Sequence, residues 1–156
     1  NQSVNKNIGI TILQLLERWG LVLDRKKEEA LSTGYINSLR IKTPSAQAAV
    51  QNLSGGNQQK IVIAKWLATK PAVLLLDEPT RGIDINAKSE IYELMRSLAA
   101  EGMGIIMVSS EMPEILALAD RILVMNDGRI TANLSGATAT EQEILSHAIQ
   151  KTELHK

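Results

Sequence analysis

Two short segments hold residues whose types and spacing could do chemistry. In Leu53-Ser54-Gly55-Gly56-Asn57-Gln58-Gln59, two adjacent glycines let backbone N–H groups approach an anion with no Cβ between. Ser54 adds a hydroxyl donor, and the helical pattern that follows points its free amides and positive dipole end the same way. A turn that merely starts a helix would use the same residues. In Leu74-Leu75-Leu76-Asp77-Glu78-Pro79-Thr80, two carboxylates end an apolar run. Open α/β sheets bind ligands at such strand ends. In phosphoryl-transfer sites an Asp there holds Mg²⁺, and a neighbouring acid orients the attacking water. A pair of acids opening a solvated loop is the plainer alternative. Gly82-Ile83-Asp84 follows at once, and Asp84 also reads as the N-cap of the next helix.

The elements that must position these residues follow from periodicity. Ile8, Ile12, Leu15, Leu16 and Trp19 recur at helical spacing, with Gly20 as a stop. Asp24 caps a second helix, whose Ala30, Leu31, Ile36 and Leu39 face inward and leave Arg25 to Glu29 in solvent. Thr43-Pro44-Ser45 breaks the pattern. A helix is expected over 57–68, then a strand over 72–76, apolar on both faces as a covered central parallel strand would be. A helix over 86–100, a buried strand over 105–108, a short helix over 114–118 and a strand over 122–125 follow. Asn126-Asp127-Gly128 signals a tight turn into a hairpin strand over 130–134. Thr140 with Glu143 forms a capping box for a last helix ending near Ala148. Alternating strands and helices predict an α/β fold with a doubly wound parallel sheet. Trp19, Trp66 and the five methionines read as packing, and His147 has no metal partner near it in sequence.

Composition sets the outer bounds. One hundred and fifty-six residues suit one domain with a sizeable core. Seventeen basic and seventeen acidic residues cancel, so no global field draws the chain to nucleic acid or an anionic membrane. The absence of cysteine excludes a disulfide scaffold, a Cys-ligated zinc and a thiol nucleophile within this sequence. No apolar run approaches the roughly 20 residues of a membrane span, and no leader-like pattern opens the sequence. A cytosolic setting is expected.

Taken in order, the segments resemble the ATP-binding cassette family of transport ATPases. Leu53 to Gln58 is similar to its signature motif, Val73 to Glu78 to its Walker B strand, and Gly82 to Asp84 to its D-loop. Leu53 to Lys60, Asp77 to Asp84 and Val108 to Glu114 resemble more closely the second cassette of bacterial ribose-, xylose- and galactose-type importers. The resemblance runs from about residue 3 to 150. It implies a P-loop NTPase core with a parallel sheet plus a helical subdomain: 1–53 as the subdomain, 54–150 as the C-terminal part of the core and 151–156 as a tail. It implies ATP and Mg²⁺ as ligands, with Asp77 on the metal and Glu78 polarising water. Ser54, Gly55, Gly56, Asn57, Gln58 and Asp84 would serve nucleotide binding.

No Gly-x-x-x-x-Gly-Lys-[Ser/Thr] loop occurs in this sequence, so the phosphate cradle lies outside it. The sequence therefore reads as the C-terminal two thirds of a cassette, truncated at the N-terminus and with sheet edges unpaired. Ser110 stands where transport cassettes place a catalytic histidine. A hydroxyl donates a hydrogen bond but does not change charge near neutral pH. The resemblance thus implies a weak or silent site here, beside a signature loop intact for the γ-phosphate held by another cassette. Expected partners are that cassette, a transmembrane permease docked through the helical stretch before Leu53, and indirectly a sugar-binding protein, at the cytoplasmic face of the bacterial inner membrane. Nucleic acid is not expected. Two alternatives remain: a DNA-repair or chromosome-organising ATPase, which would bring coiled-coil arms and basic surfaces, and a non-catalytic interaction module.

Overall fold

A computed structural model describes residues 2–18 and 22–149. The chain divides into two compact units, Asn1–Val108 and Ser109–Lys156. The expected subdomain boundary at residue 53 falls inside the first, between a 3₁₀ turn (Val50–Asn52) and the helix that follows.

The first unit opens with α1 (Val4–Gly9), a 3₁₀ turn (Ile10–Ile12) and α2 (Leu13–Leu16), then β1 (Glu17–Arg18) paired antiparallel with β2 (Val22–Leu23). One continuous helix to Trp19 does not form. Ile10, Thr11 and Ile12 are consecutive β-branched residues with restricted χ1, and the helix tightens there. Thr11 Oγ1 also donates to the Lys65 carbonyl at 2.7 Å. Trp19 and Gly20 lie outside the described residues.

Helix α3 (Arg25–Ser38) is capped as expected: Asp24 Oδ1 accepts from Lys26 N and Lys27 N at 3.1 and 3.2 Å. Its inward face is partly the one expected, with Leu39 buried and Leu31 and Ile36 half-buried. Glu28 and Ser32 are buried and Ala30 is exposed. Ser32 Oγ lies 2.7 Å from both the Glu28 carbonyl and Asn5 Oδ1, so a polar pairing with α1 holds that face. After Pro44 the chain runs back along the start of α1, where Val4 N and Asn5 N donate to the carbonyls of Ala48 and Ala46. Two of the unpaired N-terminal amides of α1 are satisfied that way.

Helix α4 (Gly55–Leu67) leads into β3 (Val73–Asp77), α5 (Ile85–Ala100) and β4 (Gly104–Val108). β3 and β4 pair in parallel, from Val73↔Gly104 to Asp77↔Val108, so α5 is the crossover helix. It buries Ile91, Met95 and Leu98. The strands are not covered on both faces as expected. Leu74 and Leu76 are buried, whereas Leu75 is 72% exposed and Ile106 and Val108 are 56% and 60% exposed. One face of this two-stranded sheet packs against the unit and the other is open. Trp66 is likewise half-exposed and stacks beneath the Lys65 ammonium, 5.2 Å from the ring centre, so its expected packing role is corrected to a surface one.

The second unit comprises α6 (Met112–Leu118), β5 (Arg121–Asn126), β6 (Arg129–Ser135) and α7 (Glu141–Ile149). β5 pairs antiparallel with β6, because the turn between them reverses the chain at once. Asp127 and Gly128 both have positive φ, 47° and 74°, as a type I′ hairpin turn requires. Ile122, Val124 and Ile144 form the core beneath, and Met125 faces solvent rather than filling it. Glu143 N donates to Thr140 Oγ1 at 3.2 Å, one of the two bonds of the expected capping box.

Candidate functional site

The signature-like turn and the D-loop-like turn meet at the N-termini of α4 and α5. Ser54 has the extended backbone of an N-cap residue, yet its side chain makes no capping bond. Its Oγ accepts instead from Asn57 Nδ2 at 2.8 Å, and Asn57 Oδ1 accepts from the backbone N–H of Lys42 at 2.7 Å. Gln58 Nε2 reaches back to the Leu53 carbonyl at 2.8 Å and closes the turn. Asp84 caps α5, its Oδ1 accepting from Ala87 N at 3.0 Å. An open depression of about 140 Å³ lies there, lined by Ser54, Gly56, Asn57, Asp84, Asn86 and Ala87 with the charged pair Lys42 and Glu90 at one side.

The adjacent glycines have different surroundings. Gly55 is exposed, and a Cβ on it would come no nearer than 3.9 Å to the Gly82 carbonyl and Ile83. Gly56 is buried, and a Cβ there would stand 2.5 Å from Ala87 Cβ. The first glycine offers open backbone; the second lets α4 and α5 touch.

Three charged residues to which the sequence motifs give no role support this corner. Lys60, buried on α4, pairs with Glu90 of α5 at 2.7 Å and donates to the Arg40 carbonyl at 3.3 Å. Glu90 also pairs with Lys42 at 3.2 Å. The signal in the sequence is spacing: Lys60 falls on the same helical face as Ile63, Ala64 and Leu67, where a buried ammonium needs a counter-charge. The hydrogen bond from Lys60, then that from Lys42, holds the Glu90 carboxyl below its ordinary value of 4.5. A depressed folded-state value stabilises the fold above the ordinary value, and that stabilisation is lost as pH falls through the folded one. Acid unfolding monitored by circular dichroism is therefore expected to begin at lower stability in Glu90→Gln, with the slope below pH 4.5 reduced.

Asp77 ends β3, Glu78 follows it, and neither lines the depression. Asp77 is exposed, opposite Val108 in the parallel register. Glu78 is partly buried, with φ at +46°, a costly region for a residue bearing a Cβ. Its N–H donates to the Val108 carbonyl at 2.8 Å and its carbonyl accepts from Arg81 N at 3.2 Å. Pro79 and Thr80 beneath are buried, so the acid pair stands on a fixed turn. Ser110 belongs to the second unit, exposed just before α6, where Glu111 N donates to Ser109 Oγ at 3.0 Å.

The family model described as ABC transporter matches residues 1–81. The chain belongs to the ABC transporter family. Among curated proteins, this ABC transporter chain is 51% identical over 151 residues to the ribose import ATP-binding protein RbsA of Rhodopirellula baltica, covering 97% of the chain and 29% of that protein. It is 46% identical over 149 residues to RbsA of Clostridium tetani, covering 96% of the chain and 30% of that protein. The chain thus spans less than a third of the length of these relatives. Its fold resembles a dimeric ATP-binding cassette in a post-hydrolysis state bound to ADP and Pi, with a TM-score of 0.71 at 21% identity over 86% of the chain and 56% of the other. It also resembles an ATP-binding cassette of an ABC transporter solved in a twinned crystal, with a TM-score of 0.74 at 21% identity over 94% and 58%. The α/β ABC cassette fold expected from the sequence is present, as a part of the whole.

Proposed function

We propose that this chain is the C-terminal portion of a cassette that powers sugar import, and that its signature loop completes the ATP site of a partner cassette. The observation that carries the reading is the state of Ser54 and Gly55. Both are exposed at the start of a 13-residue helix, beside an open depression, with the serine hydroxyl not spent on capping. Backbone amides at a helix start, with no Cβ on Gly55, suit an anion presented from outside. Gly56 contributes through its N–H and by seating α5, Asn57 and Gln58 by holding the turn, and Asp84 by fixing the start of α5. The names of the curated relatives support ribose or a similar sugar as cargo.

The chain's own acid pair is read as part of a weak second site. Asp77 is an exposed carboxylate at a strand end, which suits Mg²⁺, an ion commonly held by one or two carboxylates and substrate phosphates. When bound, the ion would neutralise phosphate charge. Glu78 would orient a water; Ser110, which by resemblance holds a histidine's place in the sequence, has a hydroxyl that cannot take up a proton near neutral pH. Further partners of the whole protein would be a transmembrane permease and, through it, a sugar-binding protein, at the cytoplasmic face of the bacterial inner membrane. Among the described residues no helix is long and apolar enough to cross a membrane.

Turnover tests the asymmetry. In the full-length protein carrying this segment, Glu78→Gln is expected to leave ATP hydrolysis within about 2-fold of the parent, far from the 10²-fold and larger losses of an essential catalytic group. The isolated chain is expected to hydrolyse none. Turnover by that chain, abolished by Glu78→Gln, would contradict the reading.

A further inference from the structure

We infer that Asn57 is a positioning residue that sets Ser54 as a hydrogen-bond donor, an inference that rests on the proposed role of the signature loop. The orientation of the Asn57 amide is forced. Lys42 N–H can only donate, so the atom 2.7 Å from it must be the Asn57 carbonyl oxygen, Oδ1. That leaves the NH₂ group facing Ser54, 2.8 Å from its Oγ. Ser54 Oγ therefore receives a proton from Asn57, and its own O–H points elsewhere. Among the described residues no acceptor in the chain takes that proton, and the side chain is exposed at the edge of the depression.

The usual fate of a serine at a helix start is the reverse. Its oxygen accepts from the N2 or N3 amide and the helix is capped. Here the oxygen accepts from Asn57 and from no helix amide, which leaves those amides and the hydroxyl proton together for an incoming anion. The relay is tethered at its base. Lys42, whose backbone fixes the amide, is tied through its ammonium to Glu90, and Glu90 to the buried Lys60. A phosphate oxygen meeting this corner thus meets a hydroxyl whose oxygen is already held by Asn57 and whose proton is turned away from that bond, which lowers the cost of orienting it on arrival.

The test is a double-mutant cycle on ATP turnover by the full-length protein. Ser54→Ala and Asn57→Leu are each expected to lower turnover about 10-fold, the worth of one charge-assisted hydrogen bond. Combined, they are expected to fall no more than about 2-fold below Ser54→Ala alone, since Asn57 acts through that hydroxyl. Asn57→Asp keeps the size and the acceptor for Lys42 but offers Ser54 no donor. Its added charge lowers turnover in either background, so the loss is compared with and without the hydroxyl: it is expected to be about 10-fold larger with Ser54 present than in Ser54→Ala, at an unchanged thermal midpoint, whereas a purely structural role through Lys42 would make the two losses equal. If Asn57→Leu does not fold, the coupling is read between Asn57→Asp and Ser54→Ala. Losses that multiply, or an Asn57→Asp enzyme as active as the parent, overturn the inference and leave the proposed function standing. A fully active Ser54→Ala overturns the proposed function and this inference with it.

Discussion

Gly55→Asp is expected to lower ATP turnover of the full-length protein by about 10²-fold or more while leaving its stability nearly unchanged, in line with losing a preorganised anion-binding element. The stability half follows from space. A Cβ at Gly55 has only ordinary contacts, the nearest at 3.9 Å, and the residue is exposed in the first turn of α4. An acid there is even favoured by the helix dipole. The turnover half follows from charge, because a carboxylate would sit where a phosphate is to be gripped. Steady-state hydrolysis alongside thermal unfolding separates the two. Loss of both together would make Gly55 a folding residue and remove it from the site.

The next residue is expected to behave in the opposite way. Gly56→Ala places its Cβ 2.5 Å from Ala87 Cβ, far inside ordinary contact, so α4 and α5 must move apart. Overpacking of this kind costs about 1–3 kcal/mol, partly offset by the better helix propensity of alanine. Ala87→Gly removes the opposing methyl, and in that background Gly56→Ala is expected to cost at least about 1 kcal/mol less, as contacting residues couple. Urea unfolding of the four proteins of the cycle measures it. Additive costs would mean that the two helices do not meet at these residues.

These neighbours also mark the limit of what the sequence made legible. The doubled glycine reads as one feature in sequence, and only the packing of α5 divides it into an open residue and a buried one. Local chemistry was legible: the Asp24 and Asp84 caps, the Asp127-Gly128 turn and the Thr140 cap depend on residues a few positions apart. The Lys60–Glu90 pair was not, since the partners stand 30 positions apart and nothing in either segment names the other. The apolar run Val73 to Leu76 predicted the strand, and within this chain it buries Leu74 and Leu76 on one face. The first helix failed for a local reason that propensity could have weighed, three β-branched residues in a row at Ile10 to Ile12.

Chemical labelling of the depression tests the shared site most directly. Asn86 is exposed at its edge on the first turn of α5, and this chain has no cysteine of its own. Asn86→Cys in the full-length protein, freed of other thiols, is expected to react with a maleimide about 10-fold more slowly once ATP and Mg²⁺ are added, as a partner cassette closes over the corner, with thiol access setting the rate. Equal labelling rates with and without nucleotide would contradict the account.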